Sequence, residues 1–135
     1  MIVSRIEMTF VPKGWGFEKW ICNNEKYCGK LLYFVKGKHC SLHYHKLKDE
    51  VFYVQSGAIT VYWTDDLDLA NQVAEAEKNG ENLYPMLNHT HLEPGDNFHV
   101  PPGRVHQMWA TLDTELFEFS TQHFDSDSYR VLKGD

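Results

Sequence analysis

The 135-residue sequence predicts one all-β domain over residues 1–135, a jelly roll or double-stranded β-helix. Three observations predict it. Turn-forming pairs recur at short intervals: Lys13-Gly14, Asn23-Asn24, Lys36-Gly37, Ser56-Gly57, Asn79-Gly80, Pro94-Gly95 and Pro102-Gly103. Between them lie short runs rich in Val, Ile, Tyr, Phe and Trp, the side chains that suit a pleated, half-buried surface. Hydrophobic residues make up 42% and aromatics 14%, enough for one real core, and no linker or repeat divides the chain.

In chain order the strand candidates are KLLYFV from Lys30, SLHYH from Ser41, VFYVQ from Val51 and AITVYW from Ala58. NFHVP from Asn97, VHQMWAT from Val105 and ELFEFST from Glu115 follow. One segment breaks the pattern. From Asp65 to Asn79, Leu67, Ala70, Val73, Ala74 and Glu77 fall near helical spacing, with Asp65 or Asp66 placed to cap. A short helix or ordered loop is therefore expected as an insertion, and residues 82–92 lead back to the sheet.

The net charge of −6 and the pI near 5.7 exclude nucleic acid and anionic membrane surfaces as main partners, because both need a basic face. The opening residues MIVSRIEMTF hold no apolar run of signal-peptide length, and no later stretch could span a bilayer. Cys22, Cys28 and Cys40 are odd in number and fit no C-x-x-C spacing. They are expected to be reduced thiols in a cytoplasmic protein.

His43 and His45 are two residues apart, so on a strand both imidazoles point to one face. Glu50 follows after a tight return, and a neighbouring antiparallel strand is expected to set it beside them. His106 arrives after the turn PPGR. Three neutral imidazoles and one carboxylate form a first coordination sphere suited to one divalent ion: Zn, Mn, Fe, Co or Ni.

The spacing carries more than the histidine count. GKHCSLHYHKLKDEVFYVQSG runs Gly37, five residues, His43-x-His45, four residues, Glu50, six residues, Gly57. PGDNFHVPPGRVHQMWA runs Gly95, five residues, Pro101-x-Gly103, two residues, His106. Together these resemble the two signature motifs of the cupin superfamily, with Ala110 standing where the family usually has Asn. The resemblance implies a cupin barrel with the insertion between its two motifs, and the metal-ligand roles of His43, His45, Glu50 and His106.

Within that superfamily, SLHYHKLKDEVFYVQSG resembles the cupin domain of type II mannose-6-phosphate isomerases and related sugar-phosphate cupins. Trp15-Gly16 and the tail ELFEFSTQHFDSDSYRV match further parts of that group. His43, Lys48 and Gln107 depart from it, where the group often has Gln, Arg and Arg. The loss of those arginines removes bidentate recognition of a phosphate.

The resemblance implies a metal-assisted isomerase or epimerase, in which the ion polarises carbonyl and hydroxyl oxygens of an open-chain sugar and a base shuttles one proton between C1 and C2. Candidates for the base are Glu118, Lys48, Lys30 and Glu50 itself. Glu118 stands out because it interrupts the apolar run LFEF. Arg104, two residues before a ligand, could hold an anionic group at the barrel mouth. His39 and Ser41 share strand parity with His43 and could line the cavity, as could Phe52 and Trp109. His89 and His91 form a second H-x-H without a carboxylate at matching spacing. A non-enzymatic sensory cupin binding a small ligand and an Fe(II)-dependent dioxygenase are the alternative functions, since cupins host many chemistries. The sheet edges of a small jelly roll lead us to expect a homodimer.

Overall fold

The computed structural model describes residues 8–135. Its strands are β1 (Thr9–Lys13), β2 (Gly16–Asn23), β3 (Cys28–Phe34), β4 (Leu42–Tyr44), β5 (Glu50–Ser56), β6 (Ile59–Thr64), β7 (Asn88–Leu92), β8 (Asn97–Val100), β9 (Val105–Ala110), β10 (Thr114–Ser120) and β11 (Tyr129–Leu132). One helix, α1 (Leu67–Lys78), stands between β6 and β7. The strands form two antiparallel sheets, β1-β2-β3-β10-β5-β8 and β11-β4-β9-β6-β7. This is the expected jelly roll, with its insertion helical. The hairpin of β1 and β2 was not among the strand candidates; it pairs along β3, from Gly16 opposite Phe34 to Asn23 opposite Cys28.

Alternation builds the core. In β3, Cys28, Lys30, Leu32 and Phe34 are buried and the residues between them are not. The inward residues of both sheets meet in one cluster that includes Phe34, Phe52, Val54, Ile59, Val61, Met108 and Leu116. The helix lies on the outer face of the five-stranded sheet. Asp66 caps it, accepting from the Leu69 N–H at 3.1 Å. Its buried side is Ala70, Val73, Ala74 and Ala76, small residues that allow close approach. Ala70 meets Leu42 and Val105, and Val73 meets Tyr84 and Leu87.

Turn chemistry sets the register of the motif strands. Gly57 has φ +89°, and a Cβ there would collide with the Asp113 carbonyl and Thr114. Only glycine suits that position. Gly103, at φ +88°, donates its N–H to the His45 carbonyl at 2.7 Å and so ties one motif to the other.

The outer face of the six-stranded sheet is apolar. Phe17 stands opposite Tyr33 and Phe117 opposite Tyr53. On that face Phe10 is 60% and Phe119 58% exposed. No helix of the described residues is long and apolar enough to cross a membrane.

Candidate metal centre

The predicted ligands converge between the two sheets. His43 on β4 and His106 on β9 are direct cross-strand partners in the five-stranded sheet. His45 follows β4. Their ligand nitrogens lie within 4.8 Å of one another. Glu50 completes the cluster by a different route from the one expected. Strands β4 and β5 belong to different sheets, so Glu50, at the first position of β5, faces the histidines across the barrel. Its Oε1 is 3.3 Å from His106 Nε2 and 3.9 Å from His45 Nε2. A three-residue β4 ends before the return and lets the chain cross over.

Hydrogen bonds orient each ring. The Nδ1–H of His43 donates to the Ser41 carbonyl at 2.8 Å, that of His45 to the Asp127 carbonyl at 2.8 Å, and that of His106 to the Arg104 carbonyl at 3.0 Å. A carbonyl only accepts, so the proton sits on Nδ1 and the Nε2 lone pair is free. Burial, then the neighbouring His106 and His45, hold His43 far below the usual imidazole range. Burial above all brings His45 down to about 4. Burial opposes ionisation of Glu50, but the Lys48 ammonium at its Oε2 favours it, and the carboxyl sits well below the usual carboxylate range. Glu50 Oε1 and His106 Nε2 are buried without a hydrogen-bond partner. Two acceptor atoms buried side by side are costly unless a cation lies between them. The cluster is thus one that could hold a divalent ion, and its orphaned atoms fit one.

A second group of polar side chains abuts the first. Glu118 on β10 faces inward and is buried. It accepts from Lys48 Nζ at 3.1 Å and from the Ser120 hydroxyl at 2.9 Å. Burial, and next the Glu50 charge, raise its carboxyl, against the opposing pull of Lys48 and Lys30. Lys48 Nζ lies 3.2 Å from Glu50 Oε2 and donates to His123 Nδ1 at 3.0 Å. Burial alone would lower the Lys48 ammonium, but Glu118 and Glu50 raise it above the usual lysine range. His123 Nε2–H in turn donates to the exposed Asp125 at 2.9 Å. Lys30, opposite Glu118 in the sheet, pairs with Glu18 at 3.6 Å and lies over the Trp20 ring.

Asp127 organises both groups. Its buried carboxylate accepts the backbone N–H groups of Lys46, Leu47 and Lys48 at 2.9 to 3.2 Å, while its carbonyl holds His45. His123 and Asp127 went unnoticed in the sequence. They sit in an irregular stretch about eighty residues from the motif they support, where no spacing rule applies. The one signal was the acidic turn in the tail.

The four predicted ligands, Lys30, Lys48, Glu118, His123 and Asp125 line a cavity of about 740 Å3, together with Ser41, Phe52 and Met108. Lys13, Arg130 and Lys133 line it too, and none of the three is ion-paired among the described residues. Arg130 is the cross-strand partner of His43.

Several predicted residues lie elsewhere. Arg104 does not reach the cavity. Its guanidinium donates to Asp65 at 2.9 and 3.1 Å and to the His99 carbonyl, and lies 4.2 Å from the Trp63 ring centroid. Local pairing claims it before a ligand could. Gln107 and Trp109 alternate with His106 and Met108 and face the outer side of the sheet. Of the two positions expected to carry arginine in that group, Gln107 is therefore not a cavity position here, whereas Lys48 is. Ser41 lines the cavity but His39 does not. Residues 39–41 are not a continuous strand, so parity fails, and His39 stacks on Trp109 at 4.0 Å. His89 and His91 stand on the exposed strand β7, apart from any cluster.

Fold and cluster together define a small jelly roll with three clustered histidines that could hold a metal ion and a glutamate beside them. The chain belongs to the cupin family, whose sequence pattern matches residues 31–132. It is similar to a D-lyxose/D-mannose isomerase of Thermosediminibacter oceani, with 24% identity over 112 residues, covering 78% of this chain and 61% of that protein. The chain thus spans less than two thirds of that relative's length. Among solved structures, KdgF from Halomonas sp. superposes with a TM-score of 0.60 at 19% identity, over 82% of this chain and 81% of that one. Oxalate decarboxylase from Bacillus subtilis gives 0.72 at 15% identity, over 95% and 31%. At these identities the likeness to the two structures is one of fold.

Proposed function

We propose that this cupin is a metal-dependent aldose–ketose isomerase acting on an open-chain sugar. The observation that carries the proposal is Glu118, a buried carboxyl in the cavity wall, raised by its burial and joined to a buried ammonium beside the candidate metal ligands. A carboxyl so placed can both take and return a proton. The distant relationship to a sugar isomerase supports the same activity.

In this mechanism His43, His45, Glu50 and His106 would hold a divalent ion, which would supply Lewis-acid polarisation of the substrate. Glu118 Oε2 takes the proton from C2 and returns it to C1. Lys48 Nζ donates a proton to the carbonyl oxygen and recovers one from the neighbouring hydroxyl. The chain Lys48–His123–Asp125 connects that ammonium to the surface. The cationic side chains Lys13, Arg130 and Lys133 favour a sugar bearing a phosphate or carboxylate over a neutral one.

The test is proton NMR in D2O with metal-loaded protein and a panel of aldoses, ketoses, their phosphates and uronates. Deuterium at C1 or C2, with interconversion of a pair, is the expected result. Saturable binding with no exchange on any substrate would instead make this a ligand-binding cupin.

Two further outcomes follow from the same structure. Asp127→Ala removes the carboxylate that accepts the 46–48 N–H groups but keeps the main-chain carbonyl that orients His45; by loosening that turn it is expected to weaken metal affinity up to about 10-fold, as read by competition with a chromophoric chelator. We also infer that the homodimer forms through the apolar outer face of the six-stranded sheet. Phe119→Arg should then yield a monomer in analytical ultracentrifugation where the unaltered protein is a dimer; a variant that stays dimeric places the interface elsewhere.

A further inference from the structure

A second hollow, of about 440 Å3, opens on the outer face of the five-stranded sheet, at the C-terminal end of α1. The rings of Tyr62, Tyr84 and Trp109 line it, together with Glu77, Glu81 and Asn82 from the last turn of the helix and the segment after it. It shares no lining residue with the metal cavity.

The three rings are mutually close to perpendicular. Tyr62 and Tyr84 have centroids 5.3 Å apart at 76°, Tyr62 and Trp109 6.0 Å at 74°, and Tyr84 and Trp109 5.8 Å at 76°. They form an aromatic corner. Its members are held from behind. His39 covers one face of Trp109, and the Tyr84 hydroxyl donates to Gln107 Oε1 at 2.7 Å. Burial, and next the Glu77 charge, push that hydroxyl up to about 12, so it remains a donor.

The electrostatics of the hollow point one way. Ring faces carry negative potential and attract cations. The carboxylates of Glu77 and Glu81 are exposed and have no ion-pair partner among the described residues. The C-terminal end of a helix adds partial negative charge, with Lys78 the one basic residue in its last turn. Water and small metal ions gain little from ring faces, whereas an alkylated ammonium has both the charge and the apolar surface the corner offers.

We propose that this pocket is a second ligand site, which binds an organic cation through a quaternary or alkylated ammonium head. It is independent of the metal and of the isomerase reaction.

The test compares choline with its neutral isostere 3,3-dimethylbutan-1-ol and with glucose, by calorimetry and tryptophan fluorescence on the full chain. Saturable choline binding is expected, with the isostere weaker by about tenfold or more, the scale of a desolvated cation–π contact. The Glu77→Gln, Glu81→Gln double variant alters only exposed side chains and should fold normally while losing choline affinity. Tyr62→Leu should lose it too, and stripping the protein of metal should leave it unchanged. Equal binding of the neutral isostere, preference for glucose, full affinity in the double variant or no saturable choline binding would each overturn the proposal.

Discussion

Replacing His106 with alanine is expected to abolish the stabilisation that a divalent ion gives the protein. A ligand that binds only the folded state adds RT ln(1 + [L]/Kd), about 2.7 kcal/mol at a hundredfold excess over Kd. For a chain of this size that is a rise of about 10 °C in Tm. The reason lies in the cluster. Three Nε2 lone pairs and a buried carboxylate converge with no proton among them, and His106 Nε2 and Glu50 Oε1 are left without a partner. Thermal melts after chelation, followed by addition of Zn, Mn, Fe, Co or Ni, check it alongside the metal content of the protein. His106→Ala also controls for metal taken up by the exposed His89, His91 and His99. If no metal raises the Tm of the unaltered protein above that of the variant, the cluster is not a metal site.

Glu118→Gln is the second large effect. The amide keeps the shape of the side chain and can still accept from Lys48, so the barrel should fold. It cannot take a proton from carbon. General-base catalysis is worth about 10²- to 10⁴-fold, and a loss of that size in the C1–C2 exchange rate is expected. The loss should fall on kcat with KM little changed, since Glu118 acts on the transition state more than on the bound sugar. Undiminished exchange in Glu118→Gln would remove it as the base and leave Lys30 or Glu50. The neighbouring Lys48 is a poorer probe. Its removal would strand Glu50 and Glu118 as buried charges without their cation, at about 3–5 kcal/mol of stability, and the variant could lose activity by unfolding.

The contrast between these residues follows how each was legible. His43, His45, Glu50 and His106 declared themselves by spacing, because a two-residue period on a strand and a glycine-bounded turn are local properties. The strands KLLYFV, VFYVQ and ELFEFST were legible for the same reason, as was the helix within residues 65–79. Glu118 was half legible. Its place in an apolar alternating strand left two faces open, and only the pairing of β10 with β3 and β5 turned it inward. Arg104 looked like a mouth residue by its distance from His106, but Asp65, thirty-nine positions away, captures it. His39 failed where the strand itself failed, since parity counts only along continuous pleat.

Local sequence alone determined the jelly-roll class, the candidate ligand set, a short helix or ordered loop in the insertion and the glycine turns, because each depends on backbone preferences and periodicities within a few residues. Tertiary structure alone decided that Glu50 meets the histidines from the opposite sheet, that Lys48, His123 and Asp125 form one hydrogen-bonded chain to the surface, and that Asp127 holds His45. Those contacts join segments separated by up to about eighty residues. They are set by which strands pair and which sheets stack, and that choice is made by burial of the whole core.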